Sequence, residues 1–122
     1  MLKVLLVCQK ESNEMLKSLL KNSLETVEFI DEEMVDNNCI IIKEIDDNID
    51  GISNLANYQG LVFMVSDGKY MFELLEYKPL AFIRKDHLQE DIDFIRGQLE
   101  YFKQGLESYI DFKSSYQTVR MK

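Results

Sequence analysis

Four stretches of this chain, "LKVLLVC" (2 to 8), "CIIIKEI" (39 to 45), "GLVFMVS" (60 to 66) and "LAFIR" (80 to 84), are almost unbroken runs of β-branched and large apolar residues. A strand with one wet face alternates apolar and polar side chains, whereas a continuous run suits a strand covered on both faces. Between the runs, apolar residues recur at helical spacing. After Ser12, an N-cap candidate, and Glu14 in the first turn, these are Met15, Leu16, Leu19, Leu20 and Leu24. Further helices are expected around 52 to 58 and over 68 to 77, the latter capped by Ser66-Asp67. Pro79 opens the last strand, where no ladder donor is needed. Short buried strands alternating with helices imply an α/β architecture: a doubly wound parallel sheet of four to five strands, right-handed crossovers and helices on both faces. Functional residues of such sheets gather at the C-terminal strand ends. Here those ends carry Gln9-Lys10, Lys43-Glu44, Ser66-Asp67 and Lys85.

Two regions fit this alternation less simply. In "LETVEFIDEEMVDNN" (24 to 38), Val27, Phe29 and Val35 suit a strand, while Leu24, Val27, Ile30 and Met34 suit a continuing helix; a short strand at 26 to 30 is favoured. The last helix starts at Asp86, with Gln89 three residues on completing a near capping box. Its apolar positions, Leu88, Ile92, Ile95, Leu99, Phe102 and Leu106, are separated by steps of 4, 3, 4, 3 and 4, which is a heptad seam. At 1.5 Å per residue such a helix extends ~30 Å, more than one sheet needs. Two readings therefore stand: an amphipathic helix packed on the sheet, or an extended C-terminal helix that projects and carries the signal by pairing with a second copy. The tail "YIDFKSSYQTVRMK" (109 to 122) alternates apolar and polar residues on both sides of "SSY", as a β-hairpin would. Residues 1–107 are thus expected to form one domain, and 108–122 a linker and the opening of a second.

The 122 residues, 46% hydrophobic and 30% charged, suffice for a self-supporting core. Acidic residues outnumber basic ones 22 to 14, giving a net charge of -8 that makes the chain a poor ligand for a phosphate backbone. Cys8 and Cys39 lie apart in apolar runs, and His87 is the single histidine, so no zinc motif forms and both thiols read as reduced core residues. The N-terminal apolar run is too short for a secretory signal, and no window approaches a membrane span, so a cytoplasmic location is expected. His87, beside Asp86, reads as an exposed helix-start residue without the neighbours that general acid–base work requires.

The stretch "SDGKYMFELLEYKPLAFIRKDHLQEDI" (66 to 92) resembles the fourth helix and fifth strand of receiver domains from two-component response regulators, specifically the LytTR-type transcription regulators. The likeness rests on Tyr70 early in the helix, Glu73 after it, and an aromatic-rich strand ending in lysine, Phe82 to Lys85. "VLLVCQKE" (4 to 11) is similar to the family's first strand, and the tail to the opening strands of the LytTR DNA-binding domain. The resemblance implies a receiver (flavodoxin-like) fold and a signal-receiving role within a transcription regulator. Its implied partners are a second copy in a homodimer and a sensor kinase or other regulatory protein. DNA would be met through a following domain only.

In that family, paired acids after the first strand hold Mg²⁺, an aspartate ending the third strand accepts a phosphoryl group, and a hydroxyl and a lysine contact it. Such chemistry needs a carboxylate nucleophile, a divalent cation on hard oxygen ligands, and donors around the oxygens. Here Gln9 and Lys10 stand at the paired-acid positions. Lys43 falls at the acceptor position, or Glu44 with a one-residue gap, and Val65 with its neighbour Ser66 at the hydroxyl position; Lys85 alone is retained in kind. The chain is also short before Lys85, so one β-α unit is expected to be abridged or absent. A second alignment makes 39 to 45 the second strand and 60 to 65 the third, with Asp67 the nearest carboxylate to the acceptor position. The resulting expectation is a degenerate pseudo-receiver: not an enzyme, independent of phosphorylation, with no cofactor and no Mg²⁺. Glu44 is expected either to mimic the charged state, paired with Lys85 or Lys43, or to be a solvated strand end. Two alternatives remain open. One is phosphorylation through Asp46, Asp47 or Asp67, whose segment "EIDDNID" could also hold a divalent ion. The other is a stand-alone module binding an anion in the strand-end crevice, or a partner through Tyr58, Tyr70, Phe72 and Tyr77, aromatics that otherwise read as core.

Overall fold

The computed structural model describes residues 2–24, 26–47, 49 and 51–107. Five strands alternate with helical segments: β1 (Leu2–Val7), α1 (Lys10–Ser23), β2 (Val27–Phe29), β3 (Ile40–Glu44), β4 (Gly60–Val65), α2 (Met71–Leu75), β5 (Ala81–Arg84) and α3 (Leu88–Glu107). Single 3-10 turns lie at Glu32–Met34, Ile52–Leu55 and Lys85–His87. The sheet is entirely parallel, in the order β2-β1-β3-β4-β5. This is the α/β doubly wound, receiver-like arrangement, with the direction of winding reversing between β1 and β3. The short strand in the ambiguous segment is β2, paired in register from Leu2↔Val27 to Val4↔Phe29. Residues 39 to 45 therefore hold the third strand, at the centre between β1 and β4, and the second alignment is excluded.

The continuous apolar runs are explained by burial on both sides. Ile40, Ile41 and Ile42 of β3 are each 1% exposed or less. Alternation sends Val4, Ile40, Ile42, Val62, Met64 and Ile83 to one face, against Leu16 and Leu20 of α1 and Ile92, Ile95 and Leu99 of α3. Leu5, Ile41, Leu61, Phe63 and Val65 go to the other, against Ile52 and Leu74. Phe63 meets Tyr77 edge-on, with ring centroids 6.3 Å apart, and Phe82 at 5.9 Å.

The two faces are covered unequally, which corrects the expectation of full helices on both. The helix placed at 52 to 58 is a 3-10 turn of 4 residues, and that over 68 to 77 is the 5-residue α2. All five strands are present; the abridgement falls on the crossovers. The expected caps also differ. Gln9 occupies the N-cap of α1 in place of Ser12, and Tyr70 that of α2 in place of Ser66-Asp67. A 3-10 turn over Lys85–His87 precedes α3, so Asp86 is not its cap. Pro79 precedes β5, whose ladder is extended by the Leu80 amide donating to the Leu61 carbonyl at 2.6 Å.

The heptad-spaced seam turns inward. Leu88, Ile92, Ile95 and Leu99 are buried against the sheet, and Phe102 is half-buried beside them. The spacing is therefore used by the chain's own core and leaves these side chains unavailable to a second copy. The side chain of Leu106 lies outside the described residues, as do the expected hairpin and linker at 108–122. Gly60 shows how tightly the end of α3 approaches: a Cβ there would stand 2.4 Å from the Cys39 carbonyl oxygen and 3.0 Å from Phe102 Cζ. Of the aromatics considered as a partner surface, Tyr58, Tyr70 and Tyr77 pack against the second core, whereas Phe72 is 86% exposed. Among the described residues no helix is long and apolar enough to cross a membrane.

Candidate functional site at the strand ends

Period-two alternation assigns the side chains of Lys43 and Glu44 to opposite faces of β3. Glu44 follows Ile40 and Ile42 toward α1 and α3, and is the one charged residue buried in the core of the described chain, at 4% exposure. Its carboxylate reaches past the sheet to the start of α1. The Gln9 amide donates to Glu44 Oε1 at 2.8 Å, and the Ser12 hydroxyl donates to Oε2 at 3.2 Å. A carboxylate so placed satisfies free donors at the helix N-terminus and meets the positive end of its dipole. Lys85, delivered by the end of β5, completes the arrangement. Its ammonium forms an ion pair with Glu44 Oε2 and a second contact of 3.2 Å with Asp46 Oδ1. The Asp46 carboxylate in turn accepts from Gln9 Nε2 at 3.1 Å.

The charges explain one another. The hydrogen bond to Glu44 holds the Lys85 ammonium above its ordinary pKa, against the opposing effect of burial, with Asp46 adding to the rise. Beneath the pair, Cys8 directs its thiol at the Ile42 carbonyl over 3.5 Å. Burial, reinforced by the negative charge of Glu44, pushes the Cys8 thiol up to about 12. That thiol is a poor nucleophile at neutral pH, because reactivity follows the thiolate.

Gln9, Glu44, Asp46 and Lys85 are thus brought together, and Ser12, read in the sequence as a helix cap, joins them. Capping and long-range hydrogen bonding draw on the same hydroxyl, and no local pattern separates the two uses. Lys10 is an exposed residue at the start of α1. Lys43 projects to the other sheet face, away from Glu44 and Lys85. Ser66, Asp47 and Asp67 lie in a neighbouring open cleft of about 350 Å³, which Asp46, Lys69, Tyr70 and Lys85 also line. There the Tyr70 hydroxyl donates to the Asp47 carbonyl, and Asp67 Oδ1 accepts from the Lys69 amide at 2.9 Å.

A further pair fastens β5 to α3. Arg84 Nη2 and Nε donate to the two oxygens of Asp91 at 2.8 and 3.0 Å, and the Arg84 amide adds a bond of 2.7 Å. The guanidinium holds the Asp91 carboxyl below its ordinary value. Asp91 was not legible as a partner, since acidic residues in a first helical turn are usually solvated. Together with the 3-10 turn between them, this clamp sets the direction in which Lys85 leaves the sheet.

The Mg²⁺ that the receiver resemblance implies does not suit these residues. A divalent cation needs several anionic oxygens free to turn toward it. The buried carboxylate is already engaged by an ammonium, an amide and a hydroxyl, and the positions expected to supply two acids supply Gln9 and Lys10. Among the described residues, no group of three His, Cys, Asp or Glu side chains is arranged to hold a metal. Comparison with protein-family models, with curated proteins and with solved structures finds no match to this chain.

Proposed function

We propose that this chain is a phosphorylation-independent, receiver-like regulatory module that works by presenting its surface to other proteins and catalyses no reaction. The observation that carries this reading is the buried Glu44 carboxylate held by Lys85, the Gln9 amide and the Ser12 hydroxyl. A receiver of the family it resembles uses this strand-end position for a transient negative charge and the retained lysine to sense it. Here a permanent carboxylate stands against that lysine, so the charged arrangement is built into the sequence.

The test has two parts. Incubation with a small phosphodonor and Mg²⁺, followed by intact-mass measurement, is expected to leave the mass unchanged. An added phosphate would instead favour the second reading, acceptance by Asp46, Asp47 or Asp67, which the adjacent cleft supports by grouping those carboxylates with Lys69 and Lys85. Separately, Glu44→Gln is expected to change the oligomeric state or the affinity for a captured partner protein. If a folded Glu44→Gln protein matches the parent in both, the constitutive-charge reading fails.

A further inference from the structure

The winding of the sheet reverses between β1 and β3, and in open parallel sheets this is where a crevice opens at the carboxyl ends of the strands. A cavity of about 300 Å³ lies over this pair, on the face opposite the Glu44 site. Its apolar lining is Val7, Val35 and Leu55, which are half-buried, with Leu5 of β1 and Ile41 of β3 buried behind them. It exists because the crossovers on that face are single 3-10 turns instead of helices, leaving adjoining strands thinly covered. Its volume is at the low end of small-molecule pockets, which start near ~300 Å³.

The polar side chains that line the cavity are Glu32, Lys43, Asn54 and Tyr58. Lys43, in register with Val7, is half-buried at its edge, and Asn54 and Tyr58 line it from the segment after β3. None of the ion pairs among the described residues involves Lys43. A cationic side chain at the edge of a partly apolar cavity is placed to orient an anionic group. Glu32, also lining the cavity, and the net charge of -8 disfavour ligands of high negative charge.

We infer that this cavity binds a small organic monoanion, a carboxylate on an apolar body about the size of a phenyl ring or branched alkyl chain. The carboxylate meets Lys43, with Tyr58 and Asn54 as donors, and the apolar body lies against the half-buried Val7, Val35 and Leu55. The inference uses neither Glu44 nor Lys85, so it stands or falls separately from the regulatory reading.

The test is a titration of the full chain with 3-phenylpropionate, followed by backbone amide chemical shifts. Neutral 3-phenylpropanamide and inorganic phosphate serve as comparison probes. Saturable shifts are expected around residues 5–7, 32–35, 41–43 and 51–58, with a dissociation constant on the order of 1 mM or tighter for a ligand of this size. The amide and phosphate are expected to bind at least about tenfold more weakly, as is 3-phenylpropionate to Lys43→Met. Lys69→Met, in the neighbouring cleft, should bind like the parent. The amide spectrum of Lys43→Met verifies that this variant is folded. Absence of saturation up to about 10 mM, equal binding of the amide, shifts centred elsewhere, or unchanged binding by folded Lys43→Met each overturn the inference.

Discussion

The Lys85–Glu44 pair is asymmetric, and the asymmetry decides what its removal costs. The Glu44 side chain is 2% exposed and that of Lys85 26%. Lys85→Met therefore leaves a buried carboxylate without a counter-charge, whereas Glu44→Gln leaves an ammonium that still reaches water and Asp46. Breaking a buried pair costs about 3 kcal/mol or more when the orphan is fully buried. We expect Lys85→Met to lose about 3 kcal/mol and Glu44→Gln about 1 kcal/mol, since its amide oxygen can still accept from the Gln9 amide. In the double variant the cost should be less than the sum of the two. Denaturant unfolding at neutral pH measures all three. The pH response has a definite sign. Because the folded Lys85 pKa lies above its unfolded value of 10.5, its stabilisation is complete below that pH and is lost as pH rises through the folded value. Cys8, raised from 9.0 to about 12, begins the alkaline loss earlier. Stability of the parent should thus fall from about pH 9 upward, and Lys85→Met should follow a flatter curve at the top of that range.

At the scale of elements, α3 tests which meaning of a heptad repeat a chain has adopted. Ile92 is fully buried, while Phe94, two residues on, is 84% exposed. Ile92→Ala should cost about 2–5 kcal/mol through the cavity it leaves, and Phe94→Ala should stay within about 0.5 kcal/mol. Comparable losses at both positions in thermal unfolding would mean that the outer face of α3 is also packed. The steps of 4, 3, 4, 3 and 4 were plain in the sequence, but a sheet and a second helix accept the same stripe. Only the position of β3 and β4 beneath α3 distinguishes them. Strands were more legible. "CIIIKEI" can be dry on both sides only at the centre of a sheet, and β3 is there. The lengths of the coverings were not legible, because residues 52 to 58 contain apolar positions compatible with a helix, and whether one forms depends on packing that local spacing does not encode.

Over the whole molecule, one face carries α1 and α3, of 14 and 20 residues, and the other a 5-residue helix and isolated turns. Such unequal coverage implies unequal local stability. Native-state hydrogen exchange should find the amides of β1, β3 and β4 released only on global unfolding, and those of residues 32–35 and 52–58 released at far lower free energy. Uniform protection across both faces would contradict this. The same inequality explains what the sequence conveyed of the site. The strand-end residues could be enumerated from the ends of apolar runs, and the face on which each falls follows from alternation: Glu44 shares parity with Ile42, and Lys43 with Ile41. That parity separates the ion-paired pocket from the cavity over β1 and β3. What the runs could not convey was the reach of Ser12 and Asp91, whose partners lie 32 and 7 residues away.

The thiol beneath the ion pair gives the site a clock of its own. Cys8 is half-buried, and its raised pKa keeps the thiol protonated at neutral pH. An alkylating reagent therefore meets a competent thiol chiefly during excursions that separate α1 from the end of β3. The labelling rate at Cys8, read by peptide mapping apart from Cys39, counts those openings.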